Sequence, residues 1–253
     1  MLAALALLPA TARAAPSATL HVGFSPYVLG RATNVSFNLN ITAPPGQLPP
    51  PLAGLDVLYP RSLGLDVSGL GITTCKQALL EELGPAGCPI ESVMGHGTAT
   101  AELPVGSETF DETAQISIIR APEGEGHIAM YFNVIADTPV TAEFVLDGVL
   151  LPGPPPYEHI HIAVPLIPGL ADGPDVSVVR MDATFGPKGL IYYERTDGKL
   201  VPYQPQGILL PRHCPRHGFP FAAALAFANE THTNTTTTVP CPRAQGLRGP
   251  IQG

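Results

Sequence analysis

The chain has 253 residues and a formal net charge of −8, with 45% hydrophobic and 13% charged residues. This composition supplies enough apolar surface for a buried core, which excludes a disordered chain even though 30 residues are Pro and 26 are Gly. The acidic balance argues against nucleic acid as a partner, and the absence of Trp leaves few rings for stacking on carbohydrates.

The first fifteen residues have the pattern of a secretory signal peptide. Met1 to Ala10 is apolar and uncharged, and Ala12-Arg13-Ala14 has the small residues of a cleavage site. The basic residues that usually begin a signal peptide are missing, which is expected if the true start of the chain lies upstream. No later stretch approaches the about 20 apolar residues of a membrane-spanning helix. We therefore predict a secreted or cell-surface protein without a transmembrane anchor, whose mature chain begins near Pro16.

Period-two alternation dominates the rest of the chain and predicts β-strands. Between Asn34 and Thr42, apolar side chains alternate with Asn and Ser, so we expect one face of the strand to be buried and the other to face solvent. Nine further segments have strand character: Thr19–Phe24, Gly97–Leu103, Ala114–Ile119, His127–Ile135, Thr141–Leu146, Glu158–Val164, Asp175–Thr184, Phe219–Ala228 and the Thr-rich Thr231–Val239. We therefore predict an all-β fold, an antiparallel β-sandwich with one short helix.

The predicted helix runs from Cys75 to Leu83. Thr74 is a favourable N-cap residue, and Gly84-Pro85 has the residues that end a helix. We interpret residues 16–242 as one β-sandwich domain and 243–253 as a flexible tail. The alternative is a division into two units near the Pro-rich stretch 151–156.

Four cysteines, Cys75, Cys88, Cys214 and Cys241, allow three disulfide connectivities. Pairing neighbours keeps one bridge around the predicted helix and the other around the last pair of strands. A metal cluster or a catalytic thiol is the alternative, but Cys-x-x-Cys spacing does not occur in the sequence. We predict two local disulfides.

Sequence around these cysteines is similar to that of a known group of proteins. Gly84-Pro85-Ala86-Gly87-Cys88-Pro89, followed by Ser92 and Gly95-His96-Gly97-Thr98-Ala99-Thr100, resembles a recurrent segment of uncharacterised secreted proteins from high-GC actinobacteria. The closing Val239-Pro240-Cys241-Pro242 also looks like theirs. The resemblance covers about 34–242; it implies the same cysteine pairing and a β-sandwich, and it implies no activity.

Gly95 and Gly97 flank one residue at the start of a predicted strand. Such glycines permit a positive φ or a close approach between backbones, as in a β-bulge. A phosphate-binding loop would need further glycines, a Lys and a following helix, whereas a Thr-rich strand follows here. We therefore predict a bulge or a close backbone contact.

His159 and His161 are the best candidates for metal ligands. Their spacing places both imidazoles on one face of a strand, opposite Ile160 and Ile162, and zinc or copper would need a third ligand from elsewhere. The alternative is a solvated polar face. His213 and His217 flank Cys214 on a proline-rich loop, and an exposed turn is the simpler interpretation there.

The sequence contains neither a G-x-S-x-G motif nor an S-x-x-K motif. We therefore predict a non-catalytic protein without a cofactor. It would be an exported module of the cell envelope or extracellular space, with an interaction or structural role and an unidentified partner in that location. Two alternatives remain, a metal-binding extracellular protein that uses His159 and His161, and a hydrolase whose site these motifs do not mark.

Overall fold

The computed structural model describes residues 16–65, 69–105, 108–124, 126–137, 141–167 and 175–242. The predicted signal peptide and flexible tail lie outside these ranges. The described strands are β1 (Ser17–Ser25), β2 (Ala32–Thr42), β3 (Leu52–Pro60), β4 (Val93–Val105), β5 (Glu108–Arg120), β6 (Ala129–Ala136), β7 (Ala142–Pro152), β8 (Tyr157–Ala163), β9 (Ser177–Phe185), β10 (Tyr192–Thr196), β11 (Lys199–Tyr203), β12 (Ile208–Leu209), β13 (Phe219–Phe227) and β14 (His232–Val239). One α-helix, α1 (Gln77–Leu83), precedes β4, and short 3-10 turns follow it at Gly84–Gly87 and Ile90–Ser92.

Most of these strands form one continuous sheet. Its order is β1-β2-β9-β4-β5-β6-β7-β8-β3-β13-β14, with β12 paired to β2 at the side and β10-β11 forming a separate hairpin. All ladders along this path are antiparallel. The sheet curls until β14 packs beside β1, which gives a nearly closed, barrel-like arrangement.

Strands β1 and β14 meet along a line that we call the seam. No backbone ladder joins these two described strands. Two side-chain-to-backbone hydrogen bonds lie at the ends of the seam: the Thr233 hydroxyl donates to the Pro16 carbonyl just before β1, and the Tyr27 hydroxyl, just after β1, donates to the Pro240 carbonyl, each at 2.6 Å. Along the seam, the two edge strands of the described sheet pack together without a shared backbone ladder.

The all-β, antiparallel part of the prediction is confirmed, but the arrangement is not clearly a sandwich. Alternating buried and partly buried positions, as in β13, require only that each strand has one inward face. A wrapped single sheet meets that requirement as well as two stacked sheets do. The alternation therefore does not distinguish the two architectures.

All ten predicted strands are present, and the prediction missed four others. Strand β3 is the most important of these because it lies between β8 and β13 and connects the two parts of the sheet. It follows three prolines and contains Gly54, which obscures its alternation. The missed hairpin β10-β11 turns at Asp197-Gly198, where both residues have positive φ.

Inward side chains fill the barrel-like sheet with a hydrophobic core. Phe219, Phe221 and Leu225 of β13 are each at most 1% exposed. Phe221 meets Phe37 edge to face at a centroid distance of 5.8 Å, and Phe24 meets Phe219 in the same way at 5.3 Å. These contacts join β13 to β1 and β2 across the interior.

The helix begins two residues later than predicted. Lys76 is its N-cap, without a side-chain hydrogen bond, and Thr74 does not cap it. The reason is that the Cys75 N–H donates to the Arg120 carbonyl, which holds this residue against β5 rather than in the helix. Gly84 ends the helix with a φ of 64°, as predicted.

Both predicted disulfides are confirmed. Cys75–Cys88 encloses α1 and packs on Ile119, and Cys214–Cys241 ties the loop before β13 to the end of β14. The stretch 151–156 forms the end of β7 and the turn into β8, whose two strands pair directly. Within the described ranges, no helix has both the length and the apolar character needed to cross a membrane.

Candidate functional site

The outer face of the sheet carries a concave polar surface across β1, β2, β9, β4 and β5. We call it the outer groove; its volume is about 560 Å³. Its polar side chains are His21, Ser36, Asn38, His96, Thr98, Gln115, Asp182 and Thr184. It is a candidate binding site because hydrogen-bonding groups from five strands converge on one depression.

Strand register explains why these side chains meet. Residues that pair across an antiparallel sheet point to the same face, so they form rows perpendicular to the strands. One row runs as His21, Asn38, Asp182, Thr98 and Gln115. The next row runs as Gly23, Ser36, Thr184 and His96.

Gly95 and Gly97 bring β4 against β9 at this site. A Cβ atom on Gly95 would lie 2.1 Å from the Thr184 carbonyl oxygen, and one on Gly97 would lie 2.3 Å from the Asp182 carbonyl oxygen. The register of β4 on β5 also shifts between Val93 and Gly95. The predicted close backbone contact is therefore confirmed, and only Gly fits at these positions without a shift of β9.

Asp182 is the centre of the polar contacts in the outer groove. Its Oδ1 accepts a hydrogen bond from Asn38 Nδ2 at 2.5 Å, and its Oδ2 accepts one from Arg180 Nε at 2.6 Å. Asn40 Nδ2 donates in turn to Asn38 Oδ1 at 2.7 Å. These contacts fix the carboxylate and the Asn38 amide in one arrangement.

The hydrogen bond from Arg180 holds the pKa of the Asp182 carboxyl below its ordinary value. Partial burial opposes this effect, and the hydrogen bond from Asn38 adds to it. The carboxylate is therefore charged at neutral pH. Because its pKa is lowered in the folded state, its stabilising effect is present above the unfolded pKa and is lost as the pH falls through the folded one.

The groove has the chemistry of a site for a neutral, polar ligand. Amide, hydroxyl and imidazole groups offer both donors and acceptors, and His21 and His96 are exposed on either side of Asp182. The fixed carboxylate and the net charge of −8 disfavour an anionic ligand. A hydroxyl-rich molecule meets these conditions.

The two predicted metal ligands lie on another part of the outer face. His159 and His161 point outward from β8, while Ile160 and Ile162 are buried, as predicted. His161 Nδ1 lies 2.7 Å from Asp56 Oδ1 of the neighbouring β3. Among the residues that the structure describes, no group of three or more His, Cys, Asp or Glu side chains could hold a metal ion.

His213 and His217 lie exposed on the loop before β13. Cys214 between them is bonded to Cys241, so its sulfur does not act as a thiolate ligand. This loop has the exposed-turn character that the sequence indicates.

The outer groove is not marked by any single motif in the sequence, and its residues were not among the predicted site residues. The available signal was the set of polar side chains at the outward positions of predicted strands, such as Asn38 in β2 and Asp182 in β9. Their meeting depends on strand order, since β2 and β9 are far apart in the chain. No protein-family model, curated protein or solved structure matches this chain.

Proposed function

We propose that the protein is an exported, non-catalytic module of the cell envelope or extracellular space that binds a neutral, hydroxyl-rich polymer such as a carbohydrate. The observation that carries this proposal is the outer groove, in which five strands direct hydrogen-bonding side chains around the fixed Asp182 carboxylate. The two disulfides are compatible with the extracellular location.

The mode of recognition follows from the composition of the groove. Because the chain has no Trp, we expect it to bind sugars mainly through hydrogen bonds and less through ring stacking. Asn38, Gln115, His21 and His96 supply the hydrogen-bonding groups in the groove. Hydrogen bonds that involve a charged group are worth about 1.5–3 kcal/mol each, so Asp182 contributes most through its carboxylate. The groove is therefore expected to bind weakly and to gain strength on repeating polymers.

Replacing Asp182 with alanine should weaken polymer binding at least about tenfold, because the variant loses a charged acceptor and releases Asn38 and Arg180. The measurement is a screen of the mature protein on immobilised neutral and acidic polysaccharides, followed by titration with the best binder. Asp56→Ala is the matched control, since Asp56 is also a partly exposed aspartate on the outer face but lies outside the groove.

The expected result is that a neutral polysaccharide binds the wild type and the D56A variant equally and D182A much more weakly. Equal binding by D182A would place the ligand elsewhere on the molecule. Preference for acidic polysaccharides, or no binding to any of them, would contradict the proposed ligand class.

Transition-metal binding at His159 and His161 is a second candidate function, and one observation favours it. The contact between His161 Nδ1 and Asp56 resembles the carboxylate–histidine pairing that orients metal ligands, and it leaves Nε2 for a metal. A third ligand would have to come from a partner or from solvent.

Under this second candidate, the protein purified without a histidine tag would contain zinc or copper in about stoichiometric amount, and His159→Ala/His161→Ala would lose it. Elemental analysis of both proteins is the measurement. His213→Ala/His217→Ala is the control, because it removes two exposed histidines from another surface. A folded wild type free of metal would rule this candidate out.

A further inference from the structure

The interior of the barrel-like sheet is not completely filled. A central cavity of about 100 Å³ lies among inward side chains of nine strands: β1, β2, β3, β5, β6, β7, β8, β9 and β13. We call it the central cavity. It lies on the opposite side of the sheet from the outer groove, so it is a separate site.

The lining of the central cavity is entirely apolar. It consists of Leu, Val, Ile, Phe, Met and Ala side chains, of which Leu55, Ile160 and Ala223 are representative and are each less than 9% exposed. Water in a cavity needs two to four polar partners, and this lining offers none. The central cavity is therefore not a site for ordered water.

Two smaller cavities continue the central one. A cavity of about 20 Å³ shares Phe37, Ile160 and Phe185 with it, and another of about 60 Å³ shares Val134. The three cavities are therefore neighbours that share lining side chains, and the 60 Å³ cavity is also lined by Glu112.

We propose that the central cavity binds a small, uncharged apolar molecule, a compact hydrocarbon or the end of an alkyl chain. An engineered apolar cavity of about 150 Å³ is known to stay dry and to bind benzene or xenon. The central cavity, at about 100 Å³, fits xenon and hydrocarbons somewhat smaller than benzene. Its wholly apolar lining selects against polar and charged molecules, since their buried polar groups would lack partners.

The seam gives this ligand a route to the interior. Leu20 of β1 and Ala223 of β13 both line the central cavity, and β14 lies beside each of these strands. Separating β1 from β14 breaks side-chain contacts but no backbone ladder. Entry through the seam therefore costs less than entry through a hydrogen-bonded part of the sheet.

The test is a titration of the mature protein with xenon and with cyclopropane, observed through methyl NMR signals. Leu55 and Ile160 line the central cavity, whereas Leu80 is the buried residue of α1 and belongs to a separate cluster. We expect saturable shifts of the Leu55 and Ile160 methyl signals and none at Leu80. Shifts that are absent, or equal at Leu80, would overturn the proposal.

A pair of variants locates the binding in the protein. Ala223→Val places extra methyl groups in the central cavity and should weaken xenon binding at least tenfold. Ala136→Val is the matched control, because Ala136 is also a buried alanine but lines only the neighbouring 60 Å³ cavity. Equal weakening by both variants, or by neither, would contradict the assignment; if A223V does not fold, the methyl shifts of the wild type decide.

Discussion

Replacing Gly95 with alanine is expected to lower the free energy of unfolding by about 3 kcal/mol or more. The added Cβ would lie 2.1 Å from the Thr184 carbonyl oxygen, and that atom belongs to the backbone of β9 and does not move away as a flexible side chain would. Strands β4 and β9 would have to separate, which weakens their ladder and displaces His96 in the outer groove. Urea unfolding of wild type and variant measures the loss.

Gly124→Ala provides the control for this prediction. A Cβ on Gly124 would meet no atom within 4 Å, and its φ lies outside the region that favours glycine. This variant should therefore change the free energy of unfolding by no more than about 0.5 kcal/mol. If G95A were as stable as G124A, the close contact between β4 and β9 would not exist in solution.

Removing the Cys214–Cys241 disulfide by the double substitution Cys214→Ala/Cys241→Ala should cost about 3.5 kcal/mol, because the bridge closes a loop of 27 residues and restricts the unfolded chain. The bridge also fixes the end of β14, where Tyr27 contacts Pro240 across the seam. Its loss should therefore loosen the seam before the rest of the sheet. Denaturant unfolding measures the stability, and hydrogen exchange of the β14 amides measures the loosening.

The matched variant is Cys75→Ala/Cys88→Ala. Its bridge closes a shorter loop of 13 residues, so about 3 kcal/mol should be lost. This bridge lies beside α1, so faster exchange is expected in α1 and not in β14. The interpretation fails if each variant loses less than about 1 kcal/mol, or if both loosen the same segment.

The elements of the fold could be predicted from the sequence because they depend on local pattern. Alternation in Asn34–Thr42 and in Phe219–Ala228 identifies strands whose inward residues are indeed buried, except for the partly buried Phe37. The order of the strands could not be predicted, because alternation states which face of a strand is buried but not which strand is its neighbour. The insertion of β3 between β8 and β13 is such a non-local fact.

The candidate site shows the same limit. The common face of His159 and His161 was predictable, since spacing of two on a strand is a local property. The convergence of His21, Asn38 and Asp182 was not, because each belongs to a different strand and the register of those strands is set by distant packing. The glycines beside them were a usable signal, since Gly95 and Gly97 marked the tight contact without naming β9 as its partner.

The seam has a consequence for the order in which the nascent chain can assemble. It joins the first described strand to the last, and β13 lies between β14 and β3 in the sheet. A chain is made from its N-terminus, so β3, which pairs with β8 on one side, has an unpaired edge on its other side until the final hairpin emerges. A product truncated before β13 therefore exposes the hydrophobic core and the unpaired edge of β3, so the correct assembly of the sheet depends on β13 and β14.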